Sequence, residues 1–535
     1  MTIDLRQEIT ELLNKRLNGL AEGYRQNIAI IGNERIGKTH LIHYFLSKYI
    51  NNNIVPVYVE VKQEENFAFL QRFIGTLLYA FLQNSGIELS AKNNFLIKKT
   101  GNYAPRTASF CEEILSQPKI KQRNFAKLFQ LSEILFEETG KRCCIILDEF
   151  QRLSEFNIKD FYPDWRKFLM LNKNTQYILI SSKKQLANKI LSNDLNLLFG
   201  NFHKIELGPL DTRSALKLIN EKTQGITIND SLKDFIIDLC AGKPFYLNTI
   251  SGALRDYYAN EKDTIPSINS ITHAIKDMFL EEFGVLNKIF SDTLKQIHEN
   301  IKNPQTTELL TFIGEGTNRL SELSHKLRQT KREITPLLEE LIFQDVIIKT
   351  SDIYLLNDRL FGFWLRCIHK ERINSFSIDH NRLKIAFKNE IARLYENFNT
   401  ARKKGISERI LELFNQFGDE SVQVEKKPIR LNHFKEVKLL AINGRNIKEG
   451  ILGRGSNILW IAALKEGAIV EDDIFEFADI CKKFKYNKTQ KKVLITLGDI
   501  DVNARLAAKE QKILTWDISC LNSLFEIYGK QRIVK

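Results

Sequence analysis

The sequence lacks several features that would place it in a specialised class of protein. It has no run of about 18 consecutive apolar residues, so no membrane-spanning helix is predicted. Residues 1–5 do not combine a basic stretch with an apolar core, so no secretory signal is expected. Proline is scarce, with 10 residues in 535, and long disordered linkers are not expected either. These absences predict a cytoplasmic globular protein with no membrane partner.

Cysteine and histidine are too scattered to form a recognisable metal site. The seven cysteines show no C-x-x-C spacing, and only Cys143 and Cys144 are neighbours, inside an apolar run. The nine histidines show no H-E-x-x-H or related spacing. A zinc site is therefore not predicted, and the odd number of scattered cysteines indicates a reducing compartment.

Length and charge set broad limits on the organisation and the partners. A chain of 535 residues is too long for one domain and suits three. The net charge of +13 is compatible with nucleic acid or another polyanion. However, the excess is spread along the chain and much of it is lysine on polar helix faces, which is equally typical of a solvated surface.

One eight-residue segment carries strong chemical information. Residues 32–39 read G-x-x-x-x-G-K-T, between the apolar run 28–31 and a helical pattern that begins at Leu41. The backbone N–H groups of such a loop converge on an anion, and the helix N-terminus adds partial positive charge. Lys38 is expected to reach the outer phosphates, and the Thr39 hydroxyl is expected on Mg²⁺. The predicted ligand is ATP, held by Gly32, Asn33, Glu34, Arg35, Ile36, Gly37, Lys38, Thr39 and His40.

A second motif predicts the metal and the water of a hydrolytic site. Residues 143–147 are apolar and run into Asp148 and Glu149, which is typical of a buried parallel strand that ends at the active edge of a sheet. Asp148 is predicted to hold Mg²⁺ and Glu149 to orient and polarise the attacking water. The alternative is a strand that ends in two solvated acids, and the presence of the phosphate loop in the same chain disfavours it.

The remaining pattern of residues 1–210 predicts an α/β fold. Further apolar runs at 54–61, 177–182 and 205–207 alternate with helical patterns, while residues 85–108 read as a polar loop. This alternation predicts a doubly wound parallel sheet covered by helices on both faces. Ser181 or Ser182, at the polar end of one strand, is expected near the γ-phosphate; a helix N-cap is the alternative.

The middle of the chain predicts a helical lid and a winged helix-turn-helix. Residues 211–295 are helical, and residues 296–375 read as three helices followed by a hairpin of strands 346–349 and 353–356. Three cations precede or open the third helix, where a recognition helix would meet double-stranded DNA: Arg328, Lys331 and Arg332. Winged helices that bind protein or pack on a neighbouring domain are the competing interpretation. Residues 380–535 predict a separate α/β domain, with strands near 422–424, 436–442, 458–463 and 492–497.

The order of these motifs resembles one family over nearly the whole chain. The phosphate loop, the acidic strand 147–151, the segment Gly242-Lys243-Pro244 and the region 354–364 are similar to the archaeal-type P-loop ATPases, which are AAA+/STAND-like proteins. The resemblance implies that Pro244 lies over the bound nucleotide and links its state to domain orientation. It also implies a C-terminal restriction-endonuclease-like fold in residues 380–535.

Two departures from the family pattern qualify what the resemblance implies. Family members often carry Gly-Arg before the last strand of the sheet, whereas Asn201 stands there in this chain, which puts arginine-assisted hydrolysis in doubt. In the C-terminal domain, Glu408 matches the helical acid of a nuclease site, but Lys438 stands where an aspartate is expected, and Ala462 or Ala463 replaces the second acid. Without two carboxylates Mg²⁺ is not held. An inactive nuclease-like domain is predicted, unless a different register recruits Glu436 and Lys465.

The predicted function is an ATP-driven conformational switch. ATP and Mg²⁺ would bind at the sheet edge below the lid, and hydrolysis would move the winged helix and the C-terminal domain. A nucleotide-gated DNA-binding regulator with negligible hydrolysis is the alternative, and an ATP-dependent nuclease is disfavoured by the missing acids. A homo-oligomer or a partner protein is a further candidate partner, because an arginine supplied in trans would speed hydrolysis.

Overall fold

The computed structural model describes most of the chain and divides it into two compact units. The described residues are 4–87, 93–116, 122–156, 158, 161–196, 202–260, 266–374, 380–424, 427–442, 444–484 and 489–534. The first unit contains Met1–Leu218, Lys243–Tyr246 and Phe343–Asp345. The second unit contains Ile219–Gly242, Leu247–Ile342 and Val346–Lys535. The four predicted segments, 1–210, 211–295, 296–375 and 380–535, are finer than this division.

The first unit is built on a five-stranded parallel sheet. Its strands are β1 Ile28–Ile31, β2 Ile54–Glu60, β3 Arg142–Asp148, β4 Thr175–Ser181 and β5 His203–Glu206. They lie in the order β2-β3-β4-β1-β5, so β1 lies between β4 and β5 although it comes first in the chain. All four pairings are parallel, which requires a crossover between successive strands.

Helices cover both faces of this sheet. They are α1 Gln7–Ala21, α2 Lys38–Lys48, α3 Asn66–Asn84, α4 Asn93–Gly101, α5 Pro105–Leu115, α6 Gln122–Thr139, α7 Phe161–Leu171 and α8 Lys184–Lys189. A 3₁₀ segment, Phe150–Phe156, follows β3, and a π segment, Ile190–Asp194, follows α8. The predicted polar loop at 85–108 is wrong in part, because α4 and the start of α5 fall inside it. Buried Leu96, Ile97 and Ala104 explain why this polar stretch is ordered against the core.

Alternate residues of the central strands pack into two separate hydrophobic cores, one on each face of the sheet. Ala29 and Ile31 of β1 join the larger core with α3 to α7, whereas Ile28 and Ile30 join the smaller core with α1 and α2. A strand that is buried on both faces explains the continuous apolar run in the sequence. The predicted doubly wound parallel sheet is confirmed.

The chain continues through five helices: α9 Thr212–Lys222, α10 Asp230–Leu239, α11 Pro244–Asn260, α12 Ile268–Leu280 and α13 Val285–Asn300. Asn229 accepts a hydrogen bond from the Leu232 N–H at the start of α10, and Ser267 forms a capping box with Ser270 at the start of α12. These caps satisfy N–H groups that have no partner inside the helix. The helical character predicted for residues 211–295 is present.

Three helices and a hairpin follow in the predicted order. They are α14 Thr306–Gly314, α15 Leu320–Lys326, α16 Lys331–Phe343, β6 Ile347–Thr350 and β7 Ile353–Leu356. The hairpin is antiparallel, and Ile347 pairs with Leu356. Two short helices, α17 Arg359–Trp364 and α18 Lys370–Asn374, flank a π segment, Leu365–His369.

The C-terminal part of the second unit contains a mixed five-stranded sheet. Its elements are α19 His380–Lys403, α20 Ile406–Phe414, β8 Ser421–Val424, β9 Lys427–Arg430, β10 Glu436–Ala441, β11 Ile447–Arg454, β12 Ile458–Lys465, α21 Glu471–Lys482, β13 Thr489–Thr496, α22 Val502–Glu510, β14 Ile513–Trp516 and α23 Ile518–Ile527. The sheet order is β10-β11-β12-β13-β14; the first two pairings are antiparallel and the last two parallel. The α/β character predicted for residues 380–535 agrees with this sheet.

Strand β11 is absent from the sequence-based prediction. Gly450 and Gly453 interrupt its apolar pattern, but neither glycine serves a turn. A Cβ on Gly450 would lie 2.7 Å from the Ala462 carbonyl oxygen, and one on Gly453 would lie 2.9 Å from the Phe434 ring. Close packing therefore requires glycine at both positions of this strand.

None of the described helices combines the length and the apolar character needed to cross a membrane.

Candidate functional site

The phosphate loop connects β1 to α2 in a conformation that depends on glycine. Gly37 has a φ of 88° and stands immediately before α2. A Cβ on Gly32 would lie 2.6 Å from the carbonyl oxygen of Leu207, so the loop cannot accept a larger residue there without moving. Arg35 also has a positive φ, 64°, which directs the loop backbone around the N-terminus of α2. The loop is thus shaped to present backbone N–H groups at a helix N-terminus, as anion binding requires.

Lys38 is buried inside this loop, and only 5 % of its surface is exposed. Its amino group donates hydrogen bonds to the carbonyl oxygens of Gly32 at 2.7 Å and Asn33 at 2.9 Å. Burial lowers the pKa of Lys38, and the carboxylates of Glu149 and Asp148 oppose that shift. The lysine charge therefore lies close to both acidic residues at the end of β3.

Asp148, at the end of β3, forms hydrogen bonds with residues of two other elements, α2 and β2. Its Oδ2 accepts hydrogen bonds from the Thr39 hydroxyl of α2 and from the Tyr58 hydroxyl of β2, both at 2.7 Å. The parallel register that places Asp148 opposite Glu60 brings Tyr58 within reach. Burial raises the pKa of Asp148, although the hydrogen bonds from Tyr58 and Thr39 lower it. A hydroxyl and a carboxylate are thus adjacent at the carboxyl edge of the sheet.

Glu149 begins the turn that leaves β3. Its φ is 55°, a left-handed value, and its N–H donates to Asp148 Oδ1 at 3.0 Å. One oxygen of its side chain is engaged: Oε2 accepts hydrogen bonds from Gln151 Nε2 and from Ser182 Oγ, each at 2.6 Å. The strained turn and the two donors together fix the direction of this carboxylate.

The two serines at the end of β4 differ in their contacts. Ser181 is buried and bonds locally: it accepts from the Lys183 N–H at 3.0 Å and donates to the Lys183 carbonyl at 3.2 Å. Ser182 instead contacts Glu149 through its hydroxyl and, at 3.3 Å, through its N–H. The serine in contact with the acidic strand is therefore Ser182, whereas Ser181 has the turn-capping contacts of the alternative interpretation.

Lys183 was not singled out from the sequence. Its amino group lies 3.2 Å from Glu34 Oε1 in the phosphate loop, and Arg35 lies 3.5 Å from the other oxygen of the same carboxylate. Burial raises the pKa of Glu34, but the charges of Lys183 and Arg35 outweigh it and leave the pKa lowered. Only the adjacency of β1 and β4, paired at Ile31 and Ser181, could have indicated this contact.

The segment Lys243–Tyr246 lies against the phosphate loop within the first unit. The Phe245 N–H donates to the Arg35 carbonyl oxygen at 3.5 Å. A Cβ on Gly37 would lie 3.5 Å from Pro244 Cγ. Pro244 is therefore beside the loop, while His40 is exposed on the first turn of α2. Asn201, the position of the missing arginine, lies outside the described residues.

The predicted DNA-contact residues are exposed. Arg328, Lys331 and Arg332 surround the start of α16, and no carboxylate among the described residues forms an ion pair with any of the three. Arg328 has a φ of 53° in the turn between α15 and α16.

The proposed nuclease positions in the second unit are separated by the extra strand. The strands that carry the predicted positions, β10 and β12, are not neighbours in the sheet, because β11 lies between them. Lys438 and Glu436 stand on the edge strand β10, where they pair with each other at 2.6 Å. Lys465 of β12 pairs at 3.1 Å with Asp473, a fully buried residue of α21.

The strand β11 carries an acid that the sequence analysis missed. Glu449 accepts a hydrogen bond from Ser407 of α20, and it pairs in register with Leu464. The described residues contain no group of three or more histidine, cysteine, aspartate or glutamate side chains suited to a metal. Glu449 is therefore not part of a cluster of three or more such side chains within the described residues.

Comparison with known proteins agrees with this geometry. Residues 7–250 match the model of a family described as an ATPase domain predominantly from Archaea. No curated protein matches the sequence. Among solved structures, the Walker-type ATPase of Pyrococcus abyssi is 17% identical, with a TM-score of 0.50, and the match covers 68% of this chain and 96% of that one.

More distant structural similarities extend over a comparable length. The ORC2 protein of Aeropyrum pernix, solved as ADPNP and ADP complexes, is 12% identical with a TM-score of 0.45, covering 73% of this chain and 96% of the other. The RuvB Holliday junction branch migration motor of Thermotoga maritima is 14% identical with a TM-score of 0.33, covering 67% and 94%. The family match, the sheet order and the phosphate loop lead to one conclusion: the first unit has the P-loop ATPase fold, and residues 7–250 are similar to ATPase domains found predominantly in Archaea.

Proposed function

We propose that the first unit hydrolyses Mg²⁺-bound ATP and uses the reaction as a conformational switch. The observation that carries the proposal is the convergence of Lys38, Thr39, Asp148 and Glu149 at one edge of the sheet. Asp148 Oδ2 is 2.7 Å from the Thr39 hydroxyl, and Glu149 is the next residue. A phosphate cradle, a site for a hard cation and a base for water are the three parts that phosphoryl transfer to water needs.

The donor set suits Mg²⁺. A hydroxyl and a carboxylate oxygen are hard ligands, and Mg²⁺ commonly takes one or two protein ligands and completes its shell with water and phosphate oxygens. Thr39 and Asp148 would hold the ion, which supplies charge neutralisation at the phosphates. Lys38 would exchange its bonds to the Gly32 and Asn33 carbonyls for bonds to phosphate oxygens.

Glu149 is proposed to orient the attacking water and to accept its proton. Its Oε2 is engaged by Gln151 and Ser182, which leaves Oε1 as the oxygen for water. Holding the carboxylate in one direction lowers the entropic cost of placing the water in line with the γ-phosphate. Gln151 and Ser182 are therefore positioning residues, and Ser181 supports the turn that presents Ser182.

The switch is proposed to act through residues 243–246. Pro244 and Phe245 contact the phosphate loop, and they begin α11, which continues into residues assigned to the second unit. A nucleotide that binds one loop conformation more tightly than another shifts the population of any element bonded to that loop. This is the route by which nucleotide state would reach the rest of the chain.

Coupling to double-stranded DNA is proposed through the start of α16. Arg328, Lys331 and Arg332 are exposed and unengaged by carboxylates in the described chain. In a winged helix-turn-helix, the N-terminal part of the third helix meets the major groove. The net charge of +13 adds a non-specific attraction for the duplex.

The alternative is a nucleotide-gated DNA-binding regulator that hydrolyses ATP negligibly. One observation favours it: the Glu149 carboxylate accepts hydrogen bonds from two side chains. If these bonds hold the carboxylate away from the attacking water, the protein would hydrolyse ATP only when a partner rearranges Glu149. A homo-oligomer or another protein that supplies an arginine in trans would be such a partner.

The deciding experiment is steady-state hydrolysis of Mg-ATP by the wild type and Glu149→Gln, with and without double-stranded DNA. Glu155→Gln is the matched control, since it changes an exposed carboxylate in the following 3₁₀ segment. The switch predicts turnover that is lost only in Glu149→Gln and that rises with DNA. If ATP binds and the wild type turns over under none of these conditions, the regulator replaces the ATPase switch.

A further inference from the structure

A cavity of about 630 Å³ in the second unit is surrounded by positive charge. It lies where the end of α19 meets the start of α20 and the C-terminal residues 532–534. Five cationic side chains line it, and no carboxylate does: Arg402, Lys403, Lys404, Arg409 and Arg532. Cavities of roughly 300–1,000 Å³ are the size that proteins use for small organic ligands. This cavity, called the basic cavity below, is not part of the phosphate-loop site.

Nearby acids neutralise only some of these charges. Arg402 pairs with Asp234 at 3.1 Å, Lys404 with Glu412, and Arg532 with Glu526 at 3.2 Å. Glu412 is shared, because Lys530 lies 3.9 Å from its other oxygen. Lys403 forms no ion pair with any acid in the described ranges. Two of the five lining cations, Lys403 and Arg409, therefore have no ion-pair partner in the described chain, and an anion in the cavity would supply one.

Arg409 is the strongest indication that this charge serves a ligand. Its side chain lines the basic cavity, yet only 8% of the residue is exposed. It donates to the carbonyl oxygens of Gln531 and Arg532 and lies over the Phe525 ring at 4.9 Å. No carboxylate in the described part of the chain is within ion-pair distance of it. Burial lowers the pKa of Arg409, and the more distant charges of Asp238 and Glu412 oppose the shift.

The start of α20 adds hydrogen-bond donors to the same place. Ile406 is both the first residue of this nine-residue helix and part of the cavity wall. Its N-cap, Gly405, provides no side chain to cap the first turn. Uncapped N–H groups at a helix N-terminus favour an anion, and the guanidinium groups beside them suit phosphate oxygens. Phe398, Ile406 and Ile533 provide apolar surface for the organic part of a ligand.

We propose that the basic cavity binds a small phosphorylated molecule of about nucleotide size. Arg409 and Arg402 would contact the phosphate, Lys403 would add charge at the entrance, and the apolar side chains would contact the organic group. The size of the cavity and its buried arginine favour a discrete small ligand over the continuous backbone of a nucleic acid, which exposed lysines on an open surface would suit better. The proposal does not depend on ATP hydrolysis in the first unit.

Equilibrium dialysis with adenosine 5′-monophosphate and inorganic pyrophosphate tests the proposal. The full chain carries Lys38→Ala, which weakens phosphate binding at the phosphate loop, and is compared with the same chain carrying Lys403→Glu in addition. Lys388→Glu on α19 is the matched control, since it reverses an exposed charge on the same helix. We expect saturable binding of one or both probes, weakened at least about tenfold by Lys403→Glu and unchanged by Lys388→Glu, because a charge-assisted bond is replaced by repulsion.

A second variant, Arg409→Gln, should abolish the same binding, and its thermal unfolding curve shows whether the fold survives. Lys403 is exposed, so Lys403→Glu keeps the test decisive if Arg409→Gln does not fold. Absence of binding by both probes, or binding indifferent to Lys403→Glu, overturns the proposal. Binding of double-stranded DNA that depends on Lys403 and is not displaced by either probe also overturns it, and would assign the cavity to nucleic acid.

Discussion

The Ser182 hydroxyl donates to Glu149 Oε2 at 2.6 Å, which links the ends of β4 and β3 across the edge of the sheet. The two residues are 33 positions apart, and they meet because β3 and β4 are parallel neighbours that end at the same level. The bond sets the direction of the carboxylate that the proposed reaction needs. Loss of this bond is therefore expected to lower the rate of ATP hydrolysis.

Ser182→Ala should lower kcat for ATP by about tenfold with little change in KM, because the loss of one positioning hydrogen bond costs roughly 1–1.5 kcal/mol. Steady-state kinetics measures both constants. Ser192→Ala, at an exposed position of the π segment after α8, is the control and should leave both unchanged. A rise in kcat would contradict the assigned role and would mean that Ser182 restrains Glu149 in an inactive pose.

Tyr58→Phe should change the pH dependence of hydrolysis. Burial raises the pKa of Asp148, and the hydrogen bond from the Tyr58 hydroxyl is the first influence that lowers it. Because Asp148 is proposed to hold Mg²⁺ as a carboxylate, activity should fall as the pH drops through this pKa. Removing the hydroxyl raises the pKa further, so the acid limb of kcat/KM should move to higher pH. A limb that stays in place, or moves to lower pH, would refute this assignment.

The control for the pH dependence of Tyr58→Phe is the same substitution at a tyrosine away from the site. Tyr79→Phe on α3 is suitable, since Tyr79 is exposed on the surface of the first unit. It should leave the acid limb unchanged. Raising the Mg²⁺ concentration should partly restore activity of Tyr58→Phe at low pH, because the metal competes with the proton for the same carboxylate.

Gly32→Ala tests the steric requirement of the phosphate loop. A Cβ there would lie 2.6 Å from the backbone oxygen of Leu207, so either the loop or the end of β5 must shift. We expect the free energy of unfolding to fall by about 2 kcal/mol or more and the ATP affinity to fall at least tenfold. Thermal or denaturant unfolding and nucleotide titration measure the two effects.

Gly208→Ala is the matched control for Gly32→Ala. Gly208 follows Leu207, and a Cβ there would meet no atom within 4 Å. This variant should be close to wild type in both measurements. If Gly32→Ala also behaves as wild type, the loop has more freedom than the contact implies.

Local motifs predicted much of the first unit because their spacing determines their geometry. The loop at residues 32–39 and the acids Asp148 and Glu149 each belong to one strand end, so a short stretch of sequence locates them. Strands β1, β3 and β4 were also predictable, since strands buried on both faces leave continuous apolar runs. The alternation of these strands with helices then led to the confirmed parallel sheet.

Contacts between strands were harder to predict. Tyr58 and Lys183 reach the site only through the order β2-β3-β4-β1, which no local pattern encodes, whereas Ser181 or Ser182 was expected there without a choice between them. Strand β11 escaped prediction because its glycines are read as turn residues, whereas close approach of Ala462 and Phe434 requires them. Glu449 was overlooked because the strand that carries it was not predicted.

Lys183→Ala tests whether a lysine from the end of β4 assists ATP hydrolysis. The Lys183 amino group lies 3.2 Å from Glu34 in the phosphate loop, and its charge acts on Lys38. When ATP occupies the loop, Lys183 is positioned to exchange Glu34 for a phosphate oxygen, which would stabilise negative charge in the transition state. We expect Lys183→Ala to lower kcat/KM by about tenfold or more, and Lys183→Arg to retain most of it, since one charged hydrogen bond is worth roughly 1.5–3 kcal/mol.

The neighbouring Lys184→Ala is the control, because Lys184 pairs with Glu206 at 3.3 Å and is half exposed. Its kinetics should match the wild type. Glu34→Gln separates two explanations for a defect in Lys183→Ala. If Lys183 only anchors the loop through Glu34, both variants should show the same loss. If Lys183 transfers to the phosphate, Glu34→Gln should retain or increase kcat, because it removes the carboxylate that competes for the lysine.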